Sequence, residues 1–374
     1  MKTRILVVSP SFGEGGAQQV TSTILSGLDR SAIEPCLGLF RDQRDYPLDE
    51  DIPVYSFRAG QHPPIGTAAK SKPWIVGQLL WWLRRLIVRL RPDVLLSTID
   101  QANLFVGSAL FTLRRRPRWI ARVGTAPAHL PAAQQQLVGS VYRIADRVVV
   151  NSERLQRDFE RRYPHLAARV EHIPNPLDIE RVERLAQQAP LKNREGPDPL
   201  VVTVGRMVPV KRNDLLLRAL AELRRRMPVQ AWICAEGPER AALETQIAEL
   251  DLDDSVDLLG FCTNPYALMR QADLFVLMSD HEGLPNALIE AQALGLPAVS
   301  TNCDFGPDEI IEEGRTGLLT PTGNAPALAA AIERLLRAPE TLQAMRARAS
   351  ERARTRYAAE GVVARWTRLL SRPD

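Results

Sequence analysis

The chain has 374 residues, of which 45% are hydrophobic and 25% are charged, and its formal net charge is +4. This length predicts two or three globular domains, and no apolar run reaches the roughly 18 residues that a membrane-spanning helix requires. The four cysteines (Cys36, Cys234, Cys262 and Cys303) have no paired spacing, which argues against a disulfide or zinc framework and for a cytoplasmic protein.

Apolar runs alternate with amphipathic helical stretches along the whole chain, which predicts an α/β chain with parallel sheets. The predicted strands of the first half are Arg4 to Ser9, Glu34 to Phe40, Val54 to Phe57, Asp93 to Thr98, Arg118 to Val123, Arg147 to Val150 and Val170 to Ile173. Those of the second half are Leu200 to Val204, Gln230 to Ala235, Val256 to Leu259, Leu274 to Met278, Pro297 to Ser300 and Gly317 to Leu319.

The polar stretch from Pro190 to Pro199 is the predicted linker. We therefore expect two doubly wound domains, 1–189 and 190–355, and a terminal helix within 356–374 that crosses back to the first domain. In such sheets, ligands bind at the carboxyl ends of the strands, here expected to face a deep cleft.

In the first half, Gly13-Glu14-Gly15-Gly16 follows the first strand but lacks the full dinucleotide fingerprint. Gly16 is expected to let backbone N–H groups approach a phosphate or the acceptor. Asp100 and His129 each lie just beyond a predicted strand. Asp100 either orients an acceptor hydroxyl or caps a helix, and His129 either contacts substrate or is solvated.

Positive charge is concentrated in the first half, where Lys and Arg number 24 against 15 acidic residues up to His172. Two segments carry much of the excess, Trp81 to Arg91 and Arg114 to Arg118. The first segment suits an anionic membrane surface, or alternatively it is a core-packing helix whose arginines face water. Nucleic acid is a poor alternative, because stacking aromatic residues are not interleaved on strands.

The loop after Val204 contains two cations, Arg206 and Lys211. An arginine and a lysine fixed in a strand-to-helix loop can neutralise a diphosphate, the first by bidentate hydrogen bonds and the second as a point charge. Alone, such a pair is usually solvated.

Glu282 and Glu290 are eight residues apart in Ser279-Asp280-His281-Glu282-Gly283-Leu284-Pro285-Asn286-Ala287-Leu288-Ile289-Glu290. Glu282 falls in the loop after a buried strand, and Glu290 about two turns into the next helix, with Pro285 expected in the first turn. The backbone N–H groups of that helix start, Leu284 to Ala287, suit a phosphate.

Two short acidic patterns, Asp49-Glu50-Asp51 and Asp251-Leu252-Asp253, match a metal-binding Asp-x-Asp. Neither follows a strand closely, so we expect solvated loops there and no metal site.

Taken together, these residues resemble the nucleotide-sugar site of retaining glycosyltransferases of family 4, which have the GT-B fold. The resemblance covers nearly the whole chain and is more specific in its second half, at Glu236-Gly237-Pro238, Val256 to Phe261 and Gly317-Leu318-Leu319. The stretch from Ser300 to Ile310 is similar to a subgroup that builds bacterial surface glycans on lipid carriers. Ala235 and Gln18 depart from common family residues at positions that the chemistry does not need.

The resemblance implies a role for each candidate residue. Glu290 would bind the ribose. The diphosphate would be held by Arg206, Lys211 and the helix start. Glu282 would fix the donor sugar, and Phe261 would border the base. It also implies transfer of a hexose or N-acetylhexosamine from a nucleotide sugar, with UDP as the expected nucleotide, to a glycan on a lipid carrier or lipopolysaccharide. No cofactor is expected, and the protein would act in the cytoplasm or peripherally on the inner face of the membrane.

Other functions remain open. A nucleotide-sugar epimerase of the same fold would act on donor alone. A non-catalytic subunit of a glycosyltransferase complex would need a second protein for activity, and a nicotinamide oxidoreductase would bind NAD.

Overall fold

The computed structural model describes residues 2–13, 15–57 and 73–371, and Glu14 of the glycine-rich motif lies outside these ranges. The chain forms two compact units, one comprising 1–176 together with 359–374 and the other 177–358. No helix in the described part of the chain is long and apolar enough to cross a membrane.

The first unit is built on a seven-stranded parallel sheet of order β3-β2-β1-β4-β5-β6-β7. Each predicted strand is present within one or two residues of its expected ends. The strands are β1 Thr3–Ser9, β2 Ile33–Leu39, β3 Val54–Ser56, β4 Val94–Thr98, β5 Arg118–Val123, β6 Arg147–Val150 and β7 Val170–His172. The helices are α1 Gly16–Gly27, α2 Pro73–Leu90, α3 Asp100–Phe111, α4 Ala132–Tyr142 and α5 Glu153–Arg162.

The second unit repeats the plan with a six-stranded parallel sheet of order β10-β9-β8-β11-β12-β13. Its strands are β8 Leu200–Arg206, β9 Gln230–Glu236, β10 Val256–Leu258, β11 Leu274–Leu277, β12 Ala298–Thr301 and β13 Gly317–Thr320. Its helices are α6 Ile179–Ala186, α7 Asn213–Arg224, α8 Arg240–Glu249, α9 Tyr266–Met269, α10 Asn286–Ala293, α11 Pro307–Ile310, α12 Ala325–Leu336 and α13 Pro339–Tyr357.

Alternate residues of these strands enter two separate cores, one on each face of the sheet. Phe275 packs with α6, α9 and α10 on one face, whereas Leu274 and Val276 pack with α7, α8 and α12 on the other. Strands buried on both faces explain why the sequence shows continuous apolar runs instead of alternation.

The unit boundary lies before the expected linker, at 176/177 instead of 189/190. Helix α6 belongs to the second unit because Ile179, Val182 and Ala186 are buried in its core. The polar stretch 190–199 is held to the same unit by Lys192, whose Nζ lies 2.6 Å from Asp257 Oδ2. Sequence polarity alone did not distinguish this bound segment from a linker.

The final helix, α14 Ala359–Leu370, belongs to the first unit. Its Trp366 is fully buried in the core that contains α1. At its end, Nη1 of Arg118 donates to the carbonyl oxygen of Leu369 at 2.7 Å.

Candidate functional site

A carboxylate, an ammonium group and a hydroxyl meet at the carboxyl edge of the second sheet. Nζ of Lys211 lies 2.5 Å from Oε1 of Glu282, and Oγ of Ser279 donates to the same oxygen at 2.6 Å. The Glu282 side chain is 11% exposed and that of Lys211 22%. Because two donors hold one carboxylate oxygen, the orientation of Glu282 is fixed before any ligand arrives.

Loops after the neighbouring strands β8, β11 and β12 position this cluster. Asp280 N–H donates to the Val210 carbonyl at 2.9 Å, which ties the loop after β11 to the loop after β8. Thr301 Oγ1 donates to the Ser279 carbonyl at 2.7 Å, which ties it to β12. The sequence therefore brings Lys211 and Glu282 together through three adjacent strand ends.

Arg206 is the last residue of β8, and its side chain is exposed. Within the described residues its guanidinium has no ion-pair partner, unlike the neighbouring Arg212. Arg212 has φ +49° and bonds Asp214 at 2.9 Å and Asp280 at 3.0 Å. These hydrogen bonds raise the pKa of Arg212, and the bond with Asp214 has the largest effect. Arg206 is thus available to an anion, whereas Arg212 stabilises the loop.

Helix α10 begins beside the cluster. The sequence analysis expected Pro285 in the first turn of this helix, but Pro285 is its N-cap. Proline has no side-chain acceptor, so it caps none of the N–H groups that open the helix. The side chain of Leu284 is buried in the core, so only its backbone can contribute to an anion site.

Gly306 packs directly beneath this helix start. Its φ is +98°, and a Cβ there would lie 2.7 Å from Pro285 Cδ, 2.8 Å from the Gly283 carbonyl oxygen and 3.0 Å from Leu284 Cα. The close approach requires glycine. The loop after β12 therefore fixes the position of the 283–285 turn.

Glu290 lies in the second turn of α10, nearer its start than the two turns expected, and is 5% exposed. Its Oε1 accepts a hydrogen bond from the Tyr266 hydroxyl at 3.1 Å. The sequence analysis did not identify Tyr266 as a site residue, because α9 has only four residues and so shows no helical periodicity. The ribose role of Glu290 stays a prediction.

Phe261 follows β10 and is 55% exposed. The residue before it, Gly260, has φ +70° and lies close to the Glu236 carboxylate and the Arg240 guanidinium. Aromatic side chains are usually buried in the core, whereas an exposed ring at a strand end suits stacking with a planar ligand. Its contact with a base stays a prediction.

The cysteines are all reduced in this structure. The thiol of Cys303 lies near the cluster, and burial, followed by the nearby Glu282 carboxylate, raises its pKa to about 12. The Cys234 thiol is hydrogen-bonded to that of Cys262, and this bond and burial raise the pKa of Cys234.

In the first unit, Gly16 opens α1 after Gly15, whose φ is +141°. His129 ends a short 3-10 helix, Pro127–His129, and is exposed. Asp100 opens α3 and is half-buried. The structure places these three residues after strands of the first sheet, as expected from the sequence.

A buried hydrogen-bond network that no sequence pattern indicated lies beside Asp100. Thr125 and Tyr142 hydroxyls bond the carboxylate. Asn103 Nδ2 donates to the Tyr142 oxygen at 2.9 Å, and Ser97 Oγ donates to Asn103 Oδ1 at 2.6 Å. Burial raises the pKa of Asp100 to about 6. The hydrogen bonds from Thr125 and Tyr142 lower this pKa, but their effect is smaller than that of burial.

No cluster of three His, Cys, Asp or Glu side chains that could hold a metal ion is found among the described residues. Arg30 pairs with both Asp49, at 2.9 Å, and Asp51, at 3.3 Å. Asp251 has φ +54° and follows α8 in a turn.

Family models match both halves of the chain. The description "Glycosyltransferase Family 4" applies to residues 14–181 and "Glycosyl transferases group 1" to residues 187–356. Together they span both units.

Relatives and solved structures extend this likeness. The lipopolysaccharide core biosynthesis glycosyltransferase LpsD of Rhizobium meliloti is 28% identical over 79% of either chain. An N-acetylgalactosamine-N,N'-diacetylbacillosaminyl-diphospho-undecaprenol 4-alpha-N-acetylgalactosaminyltransferase of Campylobacter jejuni is 26% identical over 92% of this chain and 93% of its own. Anabaena HepE, solved with UDP and glucose, has a TM-score of 0.78 and 23% identity over 98% of each chain, which shows a shared fold. The chain therefore has the GT-B fold and belongs to the glycosyltransferases of the family 4 type.

Proposed function

We propose that the protein is a retaining glycosyltransferase that moves a hexose or N-acetylhexosamine from a UDP-sugar to a glycan on a lipid carrier or on lipopolysaccharide. The observation that carries this proposal is the cluster of Lys211, Glu282 and Ser279 beside the start of α10. A fixed carboxylate next to fixed positive charge suits a sugar joined to a diphosphate.

Positive charge in the second unit would stabilise the leaving group. Arg206 would bind the diphosphate through its exposed guanidinium, and Lys211 would contribute a second charge. The N–H groups of residues 284–287 add the positive end of α10. These groups act where negative charge grows as the bond between the sugar and the β-phosphate breaks. We propose that they do so without a metal ion.

Glu282 would accept hydrogen bonds from hydroxyls of the donor sugar and fix the ring. Its Oε1 is already held by Lys211 and Ser279, so the binding geometry is set in advance. Removing the carboxylate would therefore disturb transfer more than nucleotide binding.

Glu290 would bind the ribose hydroxyls, and Tyr266 would orient its carboxylate. Phe261 would stack on the base. These contacts would select a nucleoside-diphosphate sugar as the donor, and we propose UDP as its nucleotide because HepE, which has a similar fold, was solved with UDP.

The acceptor hydroxyl would attack the anomeric carbon from the face that the phosphate leaves, which retains configuration. The leaving phosphate oxygen would take the acceptor proton, so the reaction needs no side-chain nucleophile. Two relatives support a lipid-borne acceptor, since one is a glycosyltransferase of lipopolysaccharide core biosynthesis and the other acts on a diphospho-undecaprenol saccharide.

The test is to incubate the purified protein, with EDTA present, with UDP-glucose, UDP-galactose and their N-acetyl forms. Each donor is supplied with and without lipid-linked saccharides or lipopolysaccharide cores. We expect a lengthened glycan with one donor, and NMR of its new linkage should show the anomeric configuration of the donor. A new UDP-sugar from donor alone would indicate an epimerase instead. Transfer only after addition of a second protein would indicate a subunit of a complex.

A further inference from the structure

Helix α2 has one buried face and one exposed face. Leu79, Leu83, Leu86 and Ile87 are buried against the sheet. The opposite face carries Trp74, Gln78, Trp81, Arg85 and Val88, spaced by three or four residues and therefore aligned along one side of the helix. The segment Trp81 to Arg91 therefore contributes buried side chains to the core on one side and exposed side chains to a surface on the other.

The apolar residues of this face are unusually open to solvent. Trp81 is 60% exposed, Trp74 54% and Val88 52%. Trp82, by contrast, turns inward and packs on Phe57 with ring centroids 5.8 Å apart. Only one tryptophan of the adjacent pair therefore belongs to the surface.

Positive charge surrounds these residues without compensation. Arg85 lies over the Trp81 ring, 5.2 Å from its centroid. Within the part of the chain that the structure describes, Arg84, Arg85, Arg89 and Arg91 form no ion pair. The sequence from 73 to 92 contains no Asp or Glu.

The neighbouring helix extends the same surface. Helices α2 and α3 are in contact, and their last turns lie at the amino ends of the adjacent strands β4 and β5. Arg118 N–H donates to the Asp93 carbonyl at 3.0 Å, which joins the loops that follow the two helices. The α3 end adds Phe111, which is 58% exposed, and the arginines of 114–116, which form no ion pair with any described residue.

We propose that this surface, which we name the α2 face (Trp74, Trp81, Arg84, Arg85, Val88, Arg89, Arg91, Phe111 and Arg114 to Arg116), binds an anionic phospholipid bilayer. Tryptophan rings would enter the headgroup region while the surrounding guanidinium groups bind lipid phosphates. Charge selects the occupant, since a protein partner of ordinary composition would leave these unpaired arginines uncompensated. The inference does not depend on the donor or the acceptor proposed above.

The experiment is co-sedimentation of the full chain with vesicles of phosphatidylcholine, with and without phosphatidylglycerol. We expect binding to the anionic vesicles alone and its weakening by salt. Trp81→Ser, and separately the double variant Arg84→Gln with Arg85→Gln, should each lower the partition coefficient by about tenfold.

Two controls lie in the second unit. Leu191→Ser removes an apolar side chain that is 67% exposed, and Arg270→Gln with Arg348→Gln removes two exposed arginines that have no ion-pair partner among the described residues. Both should bind vesicles like the unsubstituted protein, and every variant should keep its UDP affinity.

Absence of binding to anionic vesicles would overturn the inference, as would equal losses in the controls. A concentration-dependent dimer that Trp81→Ser abolishes, without vesicle binding, would assign the surface to a second copy of the chain instead. Thermal unfolding of each variant separates loss of the surface from loss of the fold.

Discussion

Lys211 and Glu282 lie 71 residues apart in sequence, yet Nζ of one is 2.5 Å from Oε1 of the other. The pair comes from loops after two adjacent strands of one sheet. In this arrangement Lys211 both orients the carboxylate and has its own charge partly offset. If the proposed roles hold, the contact would link sugar binding to diphosphate binding.

Glu282→Gln should separate these two functions. We expect transfer to fall about 10²-fold, as for other fixed polar groups that act on the transition state, with UDP affinity unchanged or higher because Lys211 loses its counter-charge. Steady-state kinetics and calorimetry measure the two quantities. Glu244→Gln, which removes another ion-paired carboxylate, should change neither. A parallel loss of UDP affinity and transfer would contradict the division of roles.

Glu290→Gln should weaken UDP binding by about 1.5–3 kcal/mol, the value of a hydrogen bond to a charged group. The amide keeps an oxygen that can accept from Tyr266, so the fold should be retained. Tyr266→Phe should give a smaller loss, since it removes only the group that orients the carboxylate. Isothermal titration with UDP measures both, and equal affinity in Glu290→Gln and the unsubstituted protein would remove the ribose assignment.

Gly306→Ala should displace the start of α10. The added Cβ meets Pro285, Gly283 and Leu284 at 3.0 Å or less, so we expect lower UDP affinity in addition to a strain cost of about 1–3 kcal/mol from the positive φ. Gly314→Ala is the matched control, because Gly314 also has positive φ but nothing lies within 4 Å of its added Cβ. The control should lose stability and keep UDP affinity. If both variants bind UDP normally, the helix start is not part of the nucleotide site.

Asp100→Asn should stabilise the first unit at neutral pH. Burial raises the pKa of Asp100 from 3.8 to about 6 in the folded state, so its ionised form opposes folding. That unfavourable contribution is absent below pH 3.8, grows as pH rises to about 6, and is complete above it. A neutral amide avoids it, giving a gain of at most about 3 kcal/mol at pH 7.5, less any lost hydrogen bond with Thr125 or Tyr142.

Urea unfolding at pH 7.5 and near pH 4 measures the effect, with the exposed Asp253→Asn as control. The gain should be present at the higher pH and small at the lower one. A loss of stability at both would mean that the hydrogen bonds to the carboxylate outweigh its burial.

The strands were predictable because parallel strands buried on both faces are continuous apolar runs, and each strand predicted from the sequence is present in the structure. The loops that carry Lys211 and Glu282 followed from those strand ends, whereas Arg206, expected in the loop after Val204, is the last residue of β8. The direct contact between Lys211 and Glu282 did not, because side-chain pairing depends on loop conformation that no local pattern encodes.

Other features depended on long-range packing. Tyr266 reaches Glu290 from a four-residue helix without periodicity. The first segment of the first unit ends at Pro176 because α6 packs against apolar residues of the second unit. The exposure of Trp81 and the inward turn of Trp82 were likewise not separable in a sequence where the two are neighbours.

The most direct test of the central claim is calorimetric titration of the purified protein with UDP, with EDTA present throughout and GDP and NAD as controls. We predict micromolar binding of UDP and no heat from GDP or NAD. Tight binding of GDP would keep the fold and the mechanism but would replace the proposed UDP-sugar with a GDP-sugar. Binding of none of the three would contradict a preformed nucleotide-sugar site at Lys211, Glu282 and α10.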